Sequence, residues 1–276
     1  MRIDAHQHFW RYDPVRDSWI TDAMSVIRRD FLPADLEPVL ADNGMGGCVA
    51  VQADQSIDET RFLLDLAEQH PFIRGVVGWV DLRAPDLAQQ LDRLADEKRL
   101  CGIRHIAQAE DDDFLTRADV VRGIGMLHGS GLSYDILIYP RQMPAARSLV
   151  ERLPEQRFVI DHMAKPEIRN GAIEPWAGHM KAIAEHSNVW CKVSGLVTEA
   201  DWRHWRPAQM RPYLDVVFDA FGPERLMFGS DWPVCLLAAN YADVLGLVTE
   251  YTGGLEPEER DGLFGMNAVR FYGLQV

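Results

Sequence analysis

The feature that most constrains this chain is an eightfold alternation. Short runs rich in Val, Ile and aromatic residues recur at Arg2–His8, Gly47–Ala53, Ile73–Asp81, Leu100–Ile106, Leu132–Tyr139, Arg157–Met163, Asn188–Leu196 and Arg225–Trp232, each bounded by Gly, Pro, Asp or Asn. Between them stand helical patterns such as Ile57–Gln69, Asp86–Glu97, Ala118–Gly129, Gln142–Leu153 and Ala208–Phe221. Strands alternating with helices build βαβ units around a parallel sheet. Eight units in 276 residues match a closed α/β barrel, the (β/α)8 TIM barrel, which takes ~250 residues. A doubly wound open sheet would announce a Gly-rich phosphate turn after its first strand, and none is present. With no internal repeat, low-complexity segment or linker, residues 1–276 read as a single domain.

A formal net charge of −14 disfavours nucleic acid and anionic membrane as partners, because both require a positive field. No apolar stretch approaches the ~20 residues of a membrane span, and Met1-Arg2-Ile3-Asp4 leads straight into a structured motif, so a cytoplasmic location is expected. Cys48, Cys101, Cys191 and Cys235 are scattered and form no CxxC pair, which favours reduced core thiols. The loop from Phe9 to about Asp30 is long and carries Trp10, Tyr12 and Trp19; a substrate-facing lid and a structural cover are equally compatible with it.

In a parallel barrel the chemistry gathers at the C-terminal ends of the strands. Those ends are polar or aromatic here: His6 and His8, Gln52, Trp79 and Asp81, Arg104 and His105, Tyr134 and Asp135, Asp161 and His162, Lys192 and Ser194, and Asp231-Trp232. One intervening residue puts His6 and His8 on one strand face, where two imidazoles can reach one metal ion or one polarised carbonyl oxygen. Closure of a barrel would bring Asp231, at the end of the eighth strand, beside them, placed to take a proton from water. His162 ends the sixth strand and is read as a catalytic candidate, with a satisfied core histidine as the alternative. Lys165 is either a solvated lysine or a substrate contact, and Arg104 could instead pair structurally with Asp81 or Asp135. Gln52, Arg104, His105 and Tyr134 suit the hydroxyls of a polyol, and Trp10, Trp79 and Trp232 its apolar face.

Five segments in order, Asp4-Ala5-His6-Gln7-His8-Phe9-Trp10, Gly102-Ile103-Arg104-His105, Asp161-His162-Met163-Ala164-Lys165-Pro166, Lys192-Val193-Ser194-Gly195-Leu196 and Phe228-Gly229-Ser230-Asp231-Trp232-Pro233, resemble the amidohydrolase-2 branch of the amidohydrolase superfamily. Within it the chain looks most like the sugar-lactone hydrolases acting on L-fuconolactone or L-rhamnonolactone, and more distantly like 2-pyrone-4,6-dicarboxylate lactonase. The resemblance implies a distorted barrel, His6, His8 and His162 as ligands or carbonyl polarisers, and Asp231 as the base that activates water. Two-metal members carry a bridging Lys or Glu at strand four and a His at strand five; Arg104-His105 and Leu132-Ser133-Tyr134-Asp135 depart from both, so at most one metal is expected. One divalent ion, zinc, on His6, His8 and Asp231, with His162 as a further ligand, fits the donor types, and a metal-free variant is the alternative. The expected activity is hydrolysis of a sugar lactone by an activated water. Rivals are a metal-dependent decarboxylase of an aromatic or unsaturated acid and a non-catalytic sugar-binding barrel.

Overall fold

The computed structural model describes residues 1–276. Eight parallel strands follow one another around a single sheet in chain order: β1 (Ile3–Gln7), β2 (Gly47–Val51), β3 (Ile73–Gly78), β4 (Leu100–His105), β5 (Ser133–Ile136), β6 (Phe158–Ile160), β7 (Val189–Val193) and β8 (Leu226–Phe228). The ring closes just beyond β8, where Gln7 bridges Trp232, His8 N donates to Trp232 O at 2.7 Å and Asp231 N donates to His6 O at 2.8 Å. The helices α1 (Pro33–Asp42), α2 (Ile57–Gln69), α3 (Leu87–Asp92), α4 (Ala118–Leu127), α5 (Met143–Arg152), α6 (Trp176–Ala184), α7 (Pro207–Phe221) and α8 (Tyr241–Tyr251) alternate with the strands. No helix is long and apolar enough to cross a membrane.

Local chemistry sets these elements. α2 starts where the Ser56 hydroxyl accepts the Glu59 N–H at 3.1 Å, and α8 where Asn240 accepts from Asp243 N at 2.9 Å. Proline at the first position of α1 and α7 costs no hydrogen bond there. Strand residues pointing outward, such as Ala50, Ile103, Tyr134, Phe158 and Phe228, pack beneath the helices in the main core. Those pointing inward, such as Ile3, Ala5, Val49, Val77, Val159 and Met227, fill the barrel below the site. The floor is closed by the segment Gly262–Met266 and the helix Asn267–Tyr272 that follows it, with Phe271 and Tyr272 in the inner cluster.

Every strand stops earlier than its sequence pattern suggests, and five do so by three residues or more. β3 ends at Gly78 rather than Asp81, β5 at Ile136 rather than Tyr139, β6 at Ile160 rather than Met163, β7 at Val193 rather than Leu196, and β8 at Phe228 rather than Trp232. After β6, His162, Met163, Ala164 and Lys165 all take positive φ (53°, 52°, 57° and 51°), and after β8 Asp231 does so (59°). In both segments the backbone leaves the extended region there, which ends the strand. Helix α3 is also shorter than the pattern over Asp86–Glu97, running only from Leu87 to Asp92.

Candidate active site

The first strand would carry its two imidazoles on the wrong face if it were regular. Ile3 and Ala5 belong to the barrel interior, so strict alternation would turn His6 and His8 outward. The register corrects this: Asp4 pairs with Cys48 but Gln7 pairs with Ala50, so β1 holds one extra residue. A bulge of this kind re-aims the side chains that follow it. Ala5 and His6 therefore both face inward, His8 follows, and Gln7 points out to the Cys48 thiol at 3.3 Å.

Closure then supplies the carboxylate. His6 Nε2 and His8 Nε2 lie 3.2 Å apart, and Asp231 Oδ1 is 3.4 Å from His8 Nε2 and 4.0 Å from His6 Nε2. All three residues are buried. Two glycines make room: a Cβ on Gly229 would stand 2.6 Å from His6 Cβ, and one on Gly195 (φ +68°) 2.8 Å from His162 Cβ. His162 joins from the turn after β6, with Nδ1 2.9 Å from Ser194 Oγ and Nε2 3.9 Å from Asp231 Oδ1. Burial lowers the His162 pKa to about 4 despite the nearby Asp231 and Asp161 carboxylates, so the ring is neutral at physiological pH. Burial pushes the Asp231 carboxyl up, and it is held below its ordinary range only where the facing His162 and His8 rings carry protons.

A buried ionic layer supports this cluster from below. Lys192 Nζ donates to Asp135 Oδ2 at 2.6 Å, lies 2.9 Å from Asp161 Oδ1 and sits 3.1 Å from His6 Nδ1. Tyr272 reaches up from the floor to donate to Asp135 at 2.7 Å. Arg104 donates to Asp161 Oδ2 at 3.0 Å and clasps the Gln52 side chain and carbonyl. Burial would raise the Asp161 carboxyl, yet Lys192, His6 and Arg104 hold it well below the usual carboxylate range. Burial and the Lys192 charge together keep His6 from protonating.

The donor set fits one divalent cation. His8 Nδ1 can only donate to the Val51 carbonyl, 2.8 Å away, so in the neutral ring its Nε2 is a bare lone pair aimed at the Asp231 carboxylate. Two acceptors facing each other at that distance need a proton or a cation between them. Three ligands at about 2.1 Å from one tetrahedral ion stand about 3.4 Å apart, close to the 3.2, 3.4 and 4.0 Å found here. The Val51 carbonyl supplies the outer-shell partner that fixes a ligating histidine.

Above the cluster opens a cavity of about 330 Å³ lined by His8, His162, Asp231, Arg104, Lys165, Trp10 and Trp19, with Gln55 and Gln108 and an apolar side of Ala53, Ile106, Ala109, Leu137 and Val234. Of the residues singled out in the sequence, His6, His8, His162 and Asp231 converge, and Arg104, Lys165 and Trp10 reach the same cavity. Gln52 lies behind Arg104 and is wholly buried. Tyr134, His105 and Trp232 point away from the cavity. Tyr134 lies in the helix-facing core, His105 stacks on Phe114 at 4.8 Å and bonds Glu110 at 2.9 Å, and Trp232 packs against Phe31 and Phe9. Trp79 donates to His105 at 3.3 Å, outside the cavity lining. Strand alternation decides these cases: Arg104 points in, so its neighbour His105 points out. Arg104 pairs with Asp161, not with Asp81 or Asp135. Asp161 and Lys192 were visible only as polar strand ends, and nothing local in the sequence marks their pairing. Trp19 came from a loop whose role the sequence left open. The four cysteines are buried and unpaired.

A parallel barrel with a buried His/Asp cluster at its C-terminal mouth defines a class of hydrolytic, metal-binding enzyme folds, and the comparisons place the chain within it. The Amidohydrolase family model matches residues 3–274, and the chain belongs to that family. It is 43% identical to an L-fucono-1,5-lactonase from Burkholderia multivorans over 99% of this chain and 96% of that protein. It is 41% identical to an L-fucono-1,5-lactonase from Burkholderia ambifaria, covering 98% and 95% respectively. A crystal structure of a Burkholderia multivorans amidohydrolase with bound Zn superposes with a TM-score of 0.95 at 43% identity, covering 100% of each chain.

Proposed function

We propose that this chain hydrolyses a sugar lactone, L-fucono-1,5-lactone or a similar aldonolactone, to the aldonic acid. The observation that carries the reading is the end-to-end likeness to two L-fucono-1,5-lactonases in a chain whose barrel mouth sets Asp231 within 4.0 Å of three imidazole nitrogens. Relatives of that likeness favour lactone hydrolysis over the decarboxylase alternative, and a carboxylate buried against the bare Nε2 of His8 suits catalysis better than passive sugar binding.

In this reading Asp231 removes a proton from a water held at the cavity floor, and the water oxygen bonds to the lactone carbonyl carbon. The bond from that carbon to the ring oxygen then breaks, and Asp231 returns the proton to the departing oxygen, leaving a hydroxyl and a carboxylic acid. The Ser194 hydroxyl donating to His162 Nδ1 leaves Nε2 as an N–H donor for the developing oxyanion. His6, His8 and Asp231 would hold one zinc ion, which when bound lowers the pKa of water and polarises a carbonyl. Arg104 and Lys165 bind substrate hydroxyls or the product carboxylate, while Trp10 and Trp19 cover the ring. The other strand-end candidates, Gln52, Trp79, His105, Tyr134 and Trp232, support these groups from behind rather than touch substrate.

A panel of 1,4- and 1,5-aldonolactones with a pH indicator tests the reading. Acid release with saturation on L-fucono-1,5-lactone is expected. No release from any lactone, with carbon dioxide evolved from aromatic acids, would overturn it.

A further inference from the structure

The turn that carries His162 and Lys165 is conformationally costly. Four consecutive residues without a glycine, His162 to Lys165, sit in the left-handed region with φ between 51° and 57°. L-residues resist this conformation, and runs of it persist only where surrounding contacts dictate them. Contacts on this turn come from several sides. Lys165 N donates to His162 O at 2.8 Å across it, His162 bonds Ser194, and Gly195 leaves space for the imidazole. The middle of the turn is held from outside the site: the indole N–H of Trp176 donates to Met163 O at 2.7 Å.

Trp176 opens α6, is 2% exposed, packs on Tyr213 at 5.4 Å between ring centres, and does not line the cavity. Its hydrogen bond lands on the carbonyl that follows His162, and Lys165 stands two residues further along. One buried donor thus fixes the peptide from which a neutral imidazole and a lysine both project into the cavity.

We propose that Trp176 is a positioning residue for the reaction, acting through the left-handed turn to aim His162 and Lys165 together. The inference rests on the lactone-hydrolase reading, in which both side chains meet the substrate. Loss of the indole N–H lets the turn relax toward ordinary φ, displacing both groups at once. Displacements near 1 Å cost about a hundredfold in catalysis.

The test replaces Trp176 by Phe and, to keep the shape, by benzothienylalanine, in which sulfur stands for the N–H. The same analogue at Trp205, whose indole donates to Ala238 O at 2.9 Å outside the cavity, is the control. The Trp176 analogue should lower kcat/KM for L-fucono-1,5-lactone by about ten- to a hundredfold, with kcat falling and KM rising. It should also move the His162 imidazole nitrogen resonances. The Trp205 analogue should stay within about twofold of wild type and leave those resonances in place. Equal losses at both positions, or unmoved His162 resonances in the Trp176 analogue, would overturn the inference. Failure of the lactonase reading is seen separately, as absence of turnover in the unmodified enzyme, and the His162 resonances still report on the turn.

Discussion

His8 Nε2 and Asp231 Oδ1 face each other across 3.4 Å, one from the end of the first strand and the other from the loop that closes the barrel after the eighth. The Val51 carbonyl takes the only proton of the neutral imidazole, so the two facing atoms are both acceptors. Their confrontation in a buried site makes the position hungry for a proton or a cation, and most of the chemistry follows from it.

Asp231→Asn is the most direct test of the proposed base. Asn tolerates positive φ, so the 59° at this position is no obstacle to folding. Lactone turnover should fall by about 10³-fold or more while circular dichroism stays that of the parent. Activity within tenfold of wild type would remove Asp231 from this role.

Cation binding has a readout independent of activity. Zinc added at about 100 times its dissociation constant should raise unfolding free energy by about 2.7 kcal/mol. His8→Ala removes a ligand and should lose most of that gain in a thermal melt. An equal zinc-induced shift in both proteins would place the ion elsewhere.

Lys192→Met leaves Asp135 and Asp161 buried without their shared ammonium. Breaking a buried ion network from one side costs about 3–5 kcal/mol. Urea denaturation should show a loss of that size, and a loss below about 1 kcal/mol would mean that Arg104 and Tyr272 suffice to support the carboxylates.

Gly229→Ala tests the crowding at the first strand. Its Cβ would lie 2.6 Å from His6 Cβ and 3.2 Å from the His6 backbone nitrogen, neither of which is a flexible tip. Overpacking of this kind costs about 1–3 kcal/mol. We expect lowered stability and impaired turnover, the latter from displacement of His6, measured by melting temperature and kcat.

Glu59 predicts a pH dependence away from the site. Burial raises its pKa from 4.5 to about 7, partly offset by the Ala53 backbone N–H and by Arg16. Between those values the folded protein binds more protons at Glu59 than the unfolded chain does. Stability from this group therefore falls as pH rises through that interval. Glu59→Gln should match wild type below about pH 4.5 and exceed it above pH 7, by up to about 3 kcal/mol. A stability difference that does not change with pH would contradict the assignment.

The sequence alone determined the eight-beat alternation, and with it the barrel, because hydrophobic period and turn residues are local signals. It also determined that His6, His8, His162 and Asp231 end strands of one barrel, hence one mouth. Which neighbour at each strand end faces inward was not legible: Arg104 rather than His105 and Asp135 rather than Tyr134 follow from strand register. The His6 and His8 orientation depends on one extra residue in β1, a feature of pairing with β2 and not of composition. The left-handed turn after β6 and the Lys192–Asp161–Arg104 layer likewise exist only in three dimensions. Backbone strain and buried charge are tolerated where distant elements compensate them, and such compensation is a property of tertiary structure.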